Sequence, residues 1–278
     1  MKLTSPSGRG LKIVSNTVLV VIGLCFLVPL LWLLVASFDG TANLTLKLPA
    51  PLTIDNYTSV MTPDLAFIPL WNSLIISFGC AIVTVLVAIL AAYPLSRYRM
   101  RINKPFMYGI LFGTGLPITA MMVPVYTLFV SLNLLDSVSG TVLFMAATSL
   151  PMAIWMMKNF MDSVPITLEE AAWMDGSSMM STLTRIVVPL MRPGLAVVFI
   201  FVFVQAWGNF FIPFVLLLSP NNMPASVSIF QFFGQYGAVA YGKLAAFSLI
   251  YSVPVLGLYV ITSRFLGGSS ALAGAVKG

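Results

Sequence analysis

Long apolar runs without charged residues dominate this chain, and short polar segments separate them. A helix needs about 20 mainly apolar residues to cross the hydrocarbon core of a bilayer. Six runs approach or exceed that length, and they lack the two-residue alternation of barrel strands. Because lipid offers no hydrogen-bond partners, backbone groups must bond within the segment, so helices are predicted. The predicted spans are 13–38, 71–96, 106–131, 138–157, 194–218 and 244–263. The fold class predicted is an all-α integral membrane protein with one domain over residues 1–278.

Two longer segments between the spans differ in character. The segment Asp39 to Leu70 contains four prolines and no helical period, which predicts an external connection. The segment 219–242 has no charge but carries amides and glycines. It is either a seventh crossing or an external loop with an interfacial or re-entrant helix. The loop is favoured, because a seventh crossing would place Arg264 and Lys277 outside.

Basic residues indicate how the chain is oriented. With six spans, every Lys and Arg except Lys47 and Lys243 falls on one side of the membrane. Short cytoplasmic loops accumulate Lys and Arg, and burying one of these charges in the membrane costs about 3 kcal/mol. Both termini are therefore predicted in the cytoplasm.

The composition excludes several functions. The chain is 59% hydrophobic and 8% charged with a mean hydropathy of +1.00, whereas a soluble domain has about 25% charged residues. It has no His, and its cysteines lie in apolar runs, which disfavours a metal site, a disulfide framework or an acid–base pair for catalysis. No phosphate-binding Gly-x-x-x-x-Gly-Lys loop occurs, so no cofactor is expected on this chain. Its net charge of +6 is scattered over short loops, which does not indicate nucleic-acid binding.

The loop between the fourth and fifth spans has the most informative local pattern. Thr167 and Glu170 have the spacing of a capping box for a helix from Leu168 to Met174, and Gly176 breaks that helix. Ser177 or Ser178 would cap a second helix that runs to about Val187 and is closed by Pro189. Local physics leaves two interpretations open: a plain surface connector, or a helix pair with a low docking surface.

In the same loop, Glu170-Ala171-Ala172 is followed after three residues by Gly176. After nine more residues come Ile186, one residue and Val188-Pro189. This spacing resembles the EAA loop of binding-protein-dependent ABC importer permeases, with Val188 in place of the usual leucine. In that family the loop lies in a groove of the ATPase subunit and transmits nucleotide-driven closure to the membrane helices. The resemblance implies an ATPase-coupling role, within a coupling loop at 162–192, for Glu169, Glu170, Ala171, Ala172, Asp175, Gly176, Ile186 and Pro189.

The resemblance covers nearly the whole chain and is closest to the carbohydrate branch, the maltose-type permeases. Matching features are Asn72-Ser73-Leu74, Ala91-Ala92-Tyr93, Ser96-Arg97, Pro124 with Tyr126, and the tail Gly274 to Gly278, which is similar to one that contacts ATPase subunits. Pro94 and Gly208 depart from the family pattern.

This resemblance implies a type I ABC importer permease fold with separate partner proteins, in a bacterial or archaeal plasma (inner) membrane. The partners are ATPase subunits, which would hold ATP and Mg, a second homologous permease, an extracytoplasmic solute-binding protein and membrane lipid.

No Asp, Glu, Lys, Arg or His lies inside any of the six predicted spans. Ion coupling within the chain is therefore disfavoured, and an uncharged solute such as a sugar is favoured. Gln205, Trp207 and Asn209 are the first candidates for the solute pathway, followed by Asn72 and Tyr126. The alternative is that these groups join helices, at about 0.6 kcal/mol per hydrogen bond. A self-contained facilitator or channel is the rival function, and the docking loop argues against it.

Overall fold

The computed structural model of the chain describes residues 8–45, 47–49, 51–115, 117–234 and 239–267. Two compact units divide these residues. The larger unit comprises 63–228 and the residues from 253 onward, and the smaller comprises the residues up to 62 together with 229–252. The tail Gly274 to Gly278, matched above to the maltose-type permeases, lies outside the described residues.

Helices form nearly all of the regular structure in these ranges. They are α1 Gly8–Ser37, α2 Asp55–Val60, α3 Ile68–Arg97, α4 Asn103–Gly113, α5 Ile118–Ser131, α6 Val138–Asp162, α7 Thr167–Met174, α8 Met179–Thr182, α9 Val188–Leu190, α10 Arg192–Trp207, α11 Phe211–Leu216, α12 Ala225–Ser228 and α13 Tyr241–Gly267. π-helical turns Pro63–Phe67 and Leu183–Val187 precede α3 and α9, and a 3-10 turn Ile229–Phe232 follows α12. Isolated β-bridges join Asp39 to Leu52 and Phe233 to Val239.

The lengths of these helices agree with the all-α membrane fold. Four helices are long and apolar enough to cross a bilayer by themselves. They are Lys12–Ser37, Pro63–Arg97, Val138–Asp162 and Tyr241–Ser263. Two bent helix pairs raise the number of possible crossings to six: Asn103–Gly113 with Ile118–Ser131, bent by 90°, and Met179–Leu190 with Arg192–Trp207, bent by 80°.

The fifth predicted span, 194–218, is not one continuous helix. Its first helix, α10, ends at Trp207, and the chain turns at Gly208 before α11 begins. Asn209 caps the new helix, since its Oδ1 accepts a hydrogen bond of 3.1 Å from the backbone N–H of Ile212. Pro213 has no N–H to donate to the Asn209 carbonyl, which accepts a hydrogen bond from the Ser226 hydroxyl instead.

The third predicted span, 106–131, is also interrupted. Its first part is α4, which ends at Gly113, and its second part is α5, which begins after Pro117. Pro117 adopts an extended conformation with ψ of 118° and cannot donate to a preceding carbonyl. The length of the apolar run predicted a span here but did not predict this break.

The segment 219–242 forms short turns and not a seventh span. Its described residues contain α12 and the 3-10 turn, which are too short to cross a bilayer, and the first residues of α13, which belong to the last of the long apolar helices, Tyr241–Ser263. Two residues at the start of α3 hold it in place. The Asn72 amide donates to the carbonyls of Asn221 and Met223 at 2.7 and 3.1 Å, and the Ser73 hydroxyl accepts from Ala225 N–H at 2.9 Å.

In the smaller unit, Asn56 of α2 is buried against the end of α1. Its amide donates to the carbonyls of Ser37 and Asp39, at 3.1 and 3.0 Å, which would otherwise lack helical partners. Gly242 packs so closely that a Cβ there would lie 2.5 Å from Asn56 Nδ2. Asn56 therefore joins the end of α1 to the beginning of α13.

In the larger unit, α3, α6 and α10 pack closely because glycines stand at their crossings. A Cβ on Gly79 of α3 would lie 3.1 Å from Val142 Cγ1 of α6. A Cβ on Gly194 of α10 would lie 2.4 Å from Phe160 Cγ of α6. Small residues at helix crossings allow the backbones to approach, which is how membrane helices gain packing energy.

We predict that Gly194→Ala destabilises the protein by about 1–3 kcal/mol, because Phe160 must move to make room for the added methyl group. The matched control is Gly109→Ala in α4, where a Cβ would meet no atom within 4 Å. That substitution should leave stability unchanged or raise it by about 0.5–1 kcal/mol. Thermal unfolding midpoints in detergent measure both, and equal midpoints would contradict the prediction.

Candidate functional site

The EAA segment, residues 162–192, is built from two short helices joined at Gly176. Its first helix, α7, begins with Thr167 as a helical residue, and the N–H of Glu170 bonds to the Ile166 carbonyl at 3.0 Å. No side chain caps this end, so the predicted capping box of Thr167 and Glu170 is wrong. The helix starts one residue too early for Thr167 to stand in the capping position.

Gly176 ends α7 in the manner predicted. It has φ of +82°, a left-handed conformation that glycine adopts without cost. Its N–H bonds to the Trp173 carbonyl at 3.0 Å, and the Ser177 N–H bonds to the Ala172 carbonyl at 2.9 Å. This pair of bonds is the Schellman motif, which satisfies the last carbonyls of a helix. Ser178 caps α8 through its side chain, which accepts from Ser181 N–H.

Pro189 does not close the second helix, contrary to prediction. From α8 the chain continues through the π-helical turn Leu183–Val187 into α9, which contains Pro189 and ends at Leu190. A wider π turn redistributes the hydrogen bonds ahead of the proline, which has no N–H to donate. The bend falls at Met191, immediately before α10.

The two glutamates at the start of the EAA segment face opposite ways. Glu169 is fully buried, with 0% of its surface exposed, whereas Glu170 is exposed. The exposed side also carries Met174, at 88% exposure, together with Ala171. Asp175 and Gly176 are exposed at the turn, while Ala172, Ile186 and Pro189 are half-buried. The segment therefore has an outer face that is accessible to a partner.

Glu169 is held by two residues near the end of α3. Arg97 Nε lies 2.6 Å from Glu169 Oε1, and the Tyr93 hydroxyl donates to Oε2 at 2.8 Å. The Arg97 side chain is 6% exposed and Tyr93 is 1% exposed. Arg97 also donates to the Val164 carbonyl at 3.2 Å. Both carboxylate oxygens of Glu169 are thus bonded to α3.

Further polar contacts join α3 to the end of α6. The Ser96 hydroxyl accepts from Arg97 Nη1 at 3.0 Å and donates to Asp162 Oδ1 at 2.5 Å. Lys158 pairs with Asp162 at 2.6 Å, where both side chains are partly exposed. We call these six residues the polar network: Tyr93, Ser96, Arg97, Lys158, Asp162 and Glu169. Five of them bind α3, α6 and α7 together where the EAA segment leaves the bundle, while Lys158 pairs with Asp162 within α6.

A second feature of the larger unit is a cavity of about 810 Å³ lined by α4, α5, α6, α10 and α11. Its walls are mainly apolar, and its polar groups include Thr148 and Ser149 on α6 with Gln205 on α10 and Asn209 beyond it. Gln205 is exposed, whereas Asn209 Oδ1 is already bonded to Ile212 N–H. None of the residues that line the cavity carries a charge.

The remaining pathway candidates lie elsewhere. Trp207 is 3% exposed and stacks on Phe203 with ring centroids 5.7 Å apart. Asn72 is 8% exposed and anchors the segment after α11. Tyr126 is 38% exposed on α5. The structure therefore brings Gln205 and Asn209 to one cavity and places Trp207, Asn72 and Tyr126 outside its lining.

Asp136 is an anchor that the sequence analysis missed. Its Oδ1 accepts from the N–H groups of Leu218 and Ser219 at 2.8 and 2.9 Å, and the Ser219 hydroxyl donates to Oδ2. Burial raises the pKa of this carboxyl, but the hydrogen bonds, led by those from Ser219, outweigh burial and lower its pKa overall. The sequence feature that could have indicated this role is a single Asp in the short turn between two apolar runs.

The described residues contain no cluster of three or more His, Cys, Asp or Glu side chains that could hold a metal ion. The prediction that ATP and Mg belong to a partner remains a prediction.

The apolar helices are long enough for a membrane-spanning protein, and the EAA segment has the sequence pattern of ABC importer permeases. Residues 84–267 match the family model for the inner membrane component of binding-protein-dependent transport systems, and the chain belongs to this family. It is accordingly a multi-pass inner-membrane translocation subunit that works with an ATPase and a binding protein.

Two relatives and one solved structure illustrate the similarity. The chain is 30% identical to the sulfoquinovosyl glycerol transport system permease SmoH of Agrobacterium fabrum, over 98% of this chain and 95% of the relative. It is 31% identical to the glucose import system permease GlcU of Saccharolobus solfataricus, over 94% of each. A crystal structure of a bacterial ABC transporter involved in import of the acidic polysaccharide alginate contains a chain with the same fold. The TM-score is 0.81 at 22% identity, covering 95% of this chain and 99% of that one.

We predict that Gly176→Pro abolishes ATP-coupled uptake while the protein still inserts. Proline fixes φ near −65°, far from +82°, and removes the N–H that bonds to Trp173. The control is Gly176→Asn, because asparagine tolerates the left-handed conformation and no atom would crowd its Cβ. Uptake and membrane insertion are measured for both, and normal uptake by the proline variant would contradict the prediction.

Proposed function

We propose that this permease moves a carbohydrate-like solute into the cytoplasm. The observation that carries the proposal is the cavity beside α6 and α10, whose polar lining consists of amides and hydroxyls without a charged group. Amides and hydroxyls bond the hydroxyl groups of a sugar, whereas an ionic solute requires an opposite charge. A relative named as a glucose import permease supports the same substrate class, because glucose is an uncharged sugar.

The outer face of the EAA segment is the proposed docking surface for the ATPase. Glu170, Ala171 and Met174 are exposed there, and Gly176 gives α7 a defined end. The alanine side chain is short enough to allow a close approach, while Met174 provides an adaptable apolar contact. ATP and Mg bind to the partner in this proposal, and hydrolysis takes place there.

The same proposal assigns an orientation to the chain. The exposed residues Arg99, Arg101 and Lys104 follow α3 at the end of the bundle that carries the EAA segment. Positive residues accumulate on the cytoplasmic side, so this end faces the cytoplasm, as do both termini. A second homologous permease completes the pathway, lipid covers the remaining apolar surface, and the binding protein delivers solute on the other side.

The experiment that tests this proposal is a pull-down of the tagged chain from detergent-solubilised native membranes, with mass spectrometry of the retained proteins. Wild type should retain an ATPase, a second permease and a solute-binding protein. Glu170→Lys should lose the ATPase and ATP-coupled uptake yet keep the second permease, because only the docking face is changed. The control is Asp64→Lys, which makes the same charge change at an exposed position outside the EAA segment.

Recovery of the wild-type chain alone, from membranes in which a known complex stays intact, would favour a self-contained facilitator. Retention of the ATPase and normal uptake by Glu170→Lys would contradict the docking surface and leave the substrate class untouched.

We predict that Gln205→Leu lowers solute uptake by about tenfold, since a lost hydrogen bond costs about 1–1.5 kcal/mol. Basal ATP hydrolysis should remain, because Gln205 lies in the cavity and not on the docking face. Met152→Leu, at an apolar position of the same lining, is the volume-conserving control. Uptake of a panel of radiolabelled mono- and disaccharides measures the effect. Equal uptake by both variants would remove Gln205 from the pathway.

A further inference from the structure

The EAA segment is joined to α3 by several hydrogen bonds and by an ion pair between Glu169 and Arg97. Glu169 stands next to Glu170, and successive helical residues are turned by about 100° about the helix axis, so one faces the bundle and the other faces outward. A partner that contacts the outer face of α7 would therefore push on one side of the helix, while Glu169 on the opposite side contacts α3.

Burial makes the loss of either partner of this contact more costly than in a surface ion pair. The side chains of Glu169 and Arg97 are 0% and 6% exposed, so water screens their attraction little. Arg97 makes a second contact with the chain between α6 and α7, at the Val164 carbonyl. The guanidinium thus connects α3 to both sides of the bend that starts α7, with fixed donor geometry.

The exposed pair in the same polar network provides a contrast. Lys158 and Asp162 lie four residues apart on α6, with side chains 23% and 41% exposed. Their pair links α6 to itself, and exposed pairs of this kind contribute little. Of these two ion pairs, only the one between Arg97 and Glu169 spans two helices.

We propose that the Arg97–Glu169 pair is the link through which movement of the EAA segment is passed to α3. Tyr93 is a positioning residue for Glu169, and Val164 is a positioning residue for Arg97. The inference rests on the proposed coupling function, and it adds that α3 moves with α7 as one body. Breaking the pair leaves the outer docking face intact but disconnects it from a membrane helix that packs on α6 and α10.

The test compares transport per ATP hydrolysed in the reconstituted importer for Arg97→Gln, Glu169→Gln and the double variant. Each single variant should keep the ATPase bound and hydrolysing but lower transport per ATP by roughly tenfold, within the usual range for coupling between two sites. The double variant should lose no more than either single variant, because both residues form one link. Lys158→Gln is the control and should behave as wild type.

A purely structural role makes a different prediction. In that case transport would fall only in step with the thermal midpoint and with the amount of assembled importer, and transport per ATP would stay constant. The neutral double variant removes the unpaired buried charge, so it keeps the test informative if the single variants fold poorly. Unchanged transport per ATP in the double variant, or additive losses, would overturn the proposal.

The outcomes for the two proposals are separable. Failure of the coupling function itself would appear in wild type, as absence of a bound ATPase or of ATP-dependent uptake. Failure of the link would appear as variants that transport as much solute per ATP as an active wild-type importer.

Discussion

Backbone groups at helix ends in a membrane protein need partners from the protein itself, because lipid offers none. This constraint explains where the polar side chains of the chain stand. Asn209 caps α11 at the break after α10, and Asp136 bonds the N–H groups that follow α11. Asn72 binds the carbonyls of the next turn, and Asn56 binds those at the end of α1. At these four places a side chain supplies the hydrogen-bond partner that the backbone would otherwise lack.

The same breaks leave space between the helices. If α10 continued to residue 218, Asn209 would lie inside a regular helix and would not cap α11. Interruption of α10 at Gly208 and of the α4–α5 pair leaves a cavity whose lining combines apolar walls with a few neutral polar groups. Such a lining can bind hydroxyl groups without holding an ion.

Two kinds of contact hold the EAA segment in place. Just outside it, Gly194 of α10 packs against Phe160 of α6, so the helices on either side of the segment lie close together. At its beginning, Glu169 is buried against Arg97 and Tyr93 of α3. Removing one partner of a buried ion pair typically costs about 3–5 kcal/mol, because the other charge is left unpaired. The segment is thereby connected to three helices of the larger unit while its outer face remains accessible.

The sequence by itself determined the class of the protein and the position of the EAA segment. Apolar run length is set by bilayer thickness, and Gly176 ends α7 through its own backbone preference, so both are local properties. The breaks in the third and fifth predicted spans were missed, since hydropathy is averaged over a window and does not register a capping side chain such as Asn209. The predicted capping box at Thr167 was wrong because α7 starts at Thr167, one residue earlier than predicted.

Only the tertiary structure decided that Glu169 is buried and Glu170 exposed, that Asp136 anchors a distant segment, and that Trp207 lies outside the cavity lining. Each depends on residues far apart in the chain, such as Arg97 and Glu169. Pairing across such distances follows from how helices pack, which the pattern along one chain does not specify.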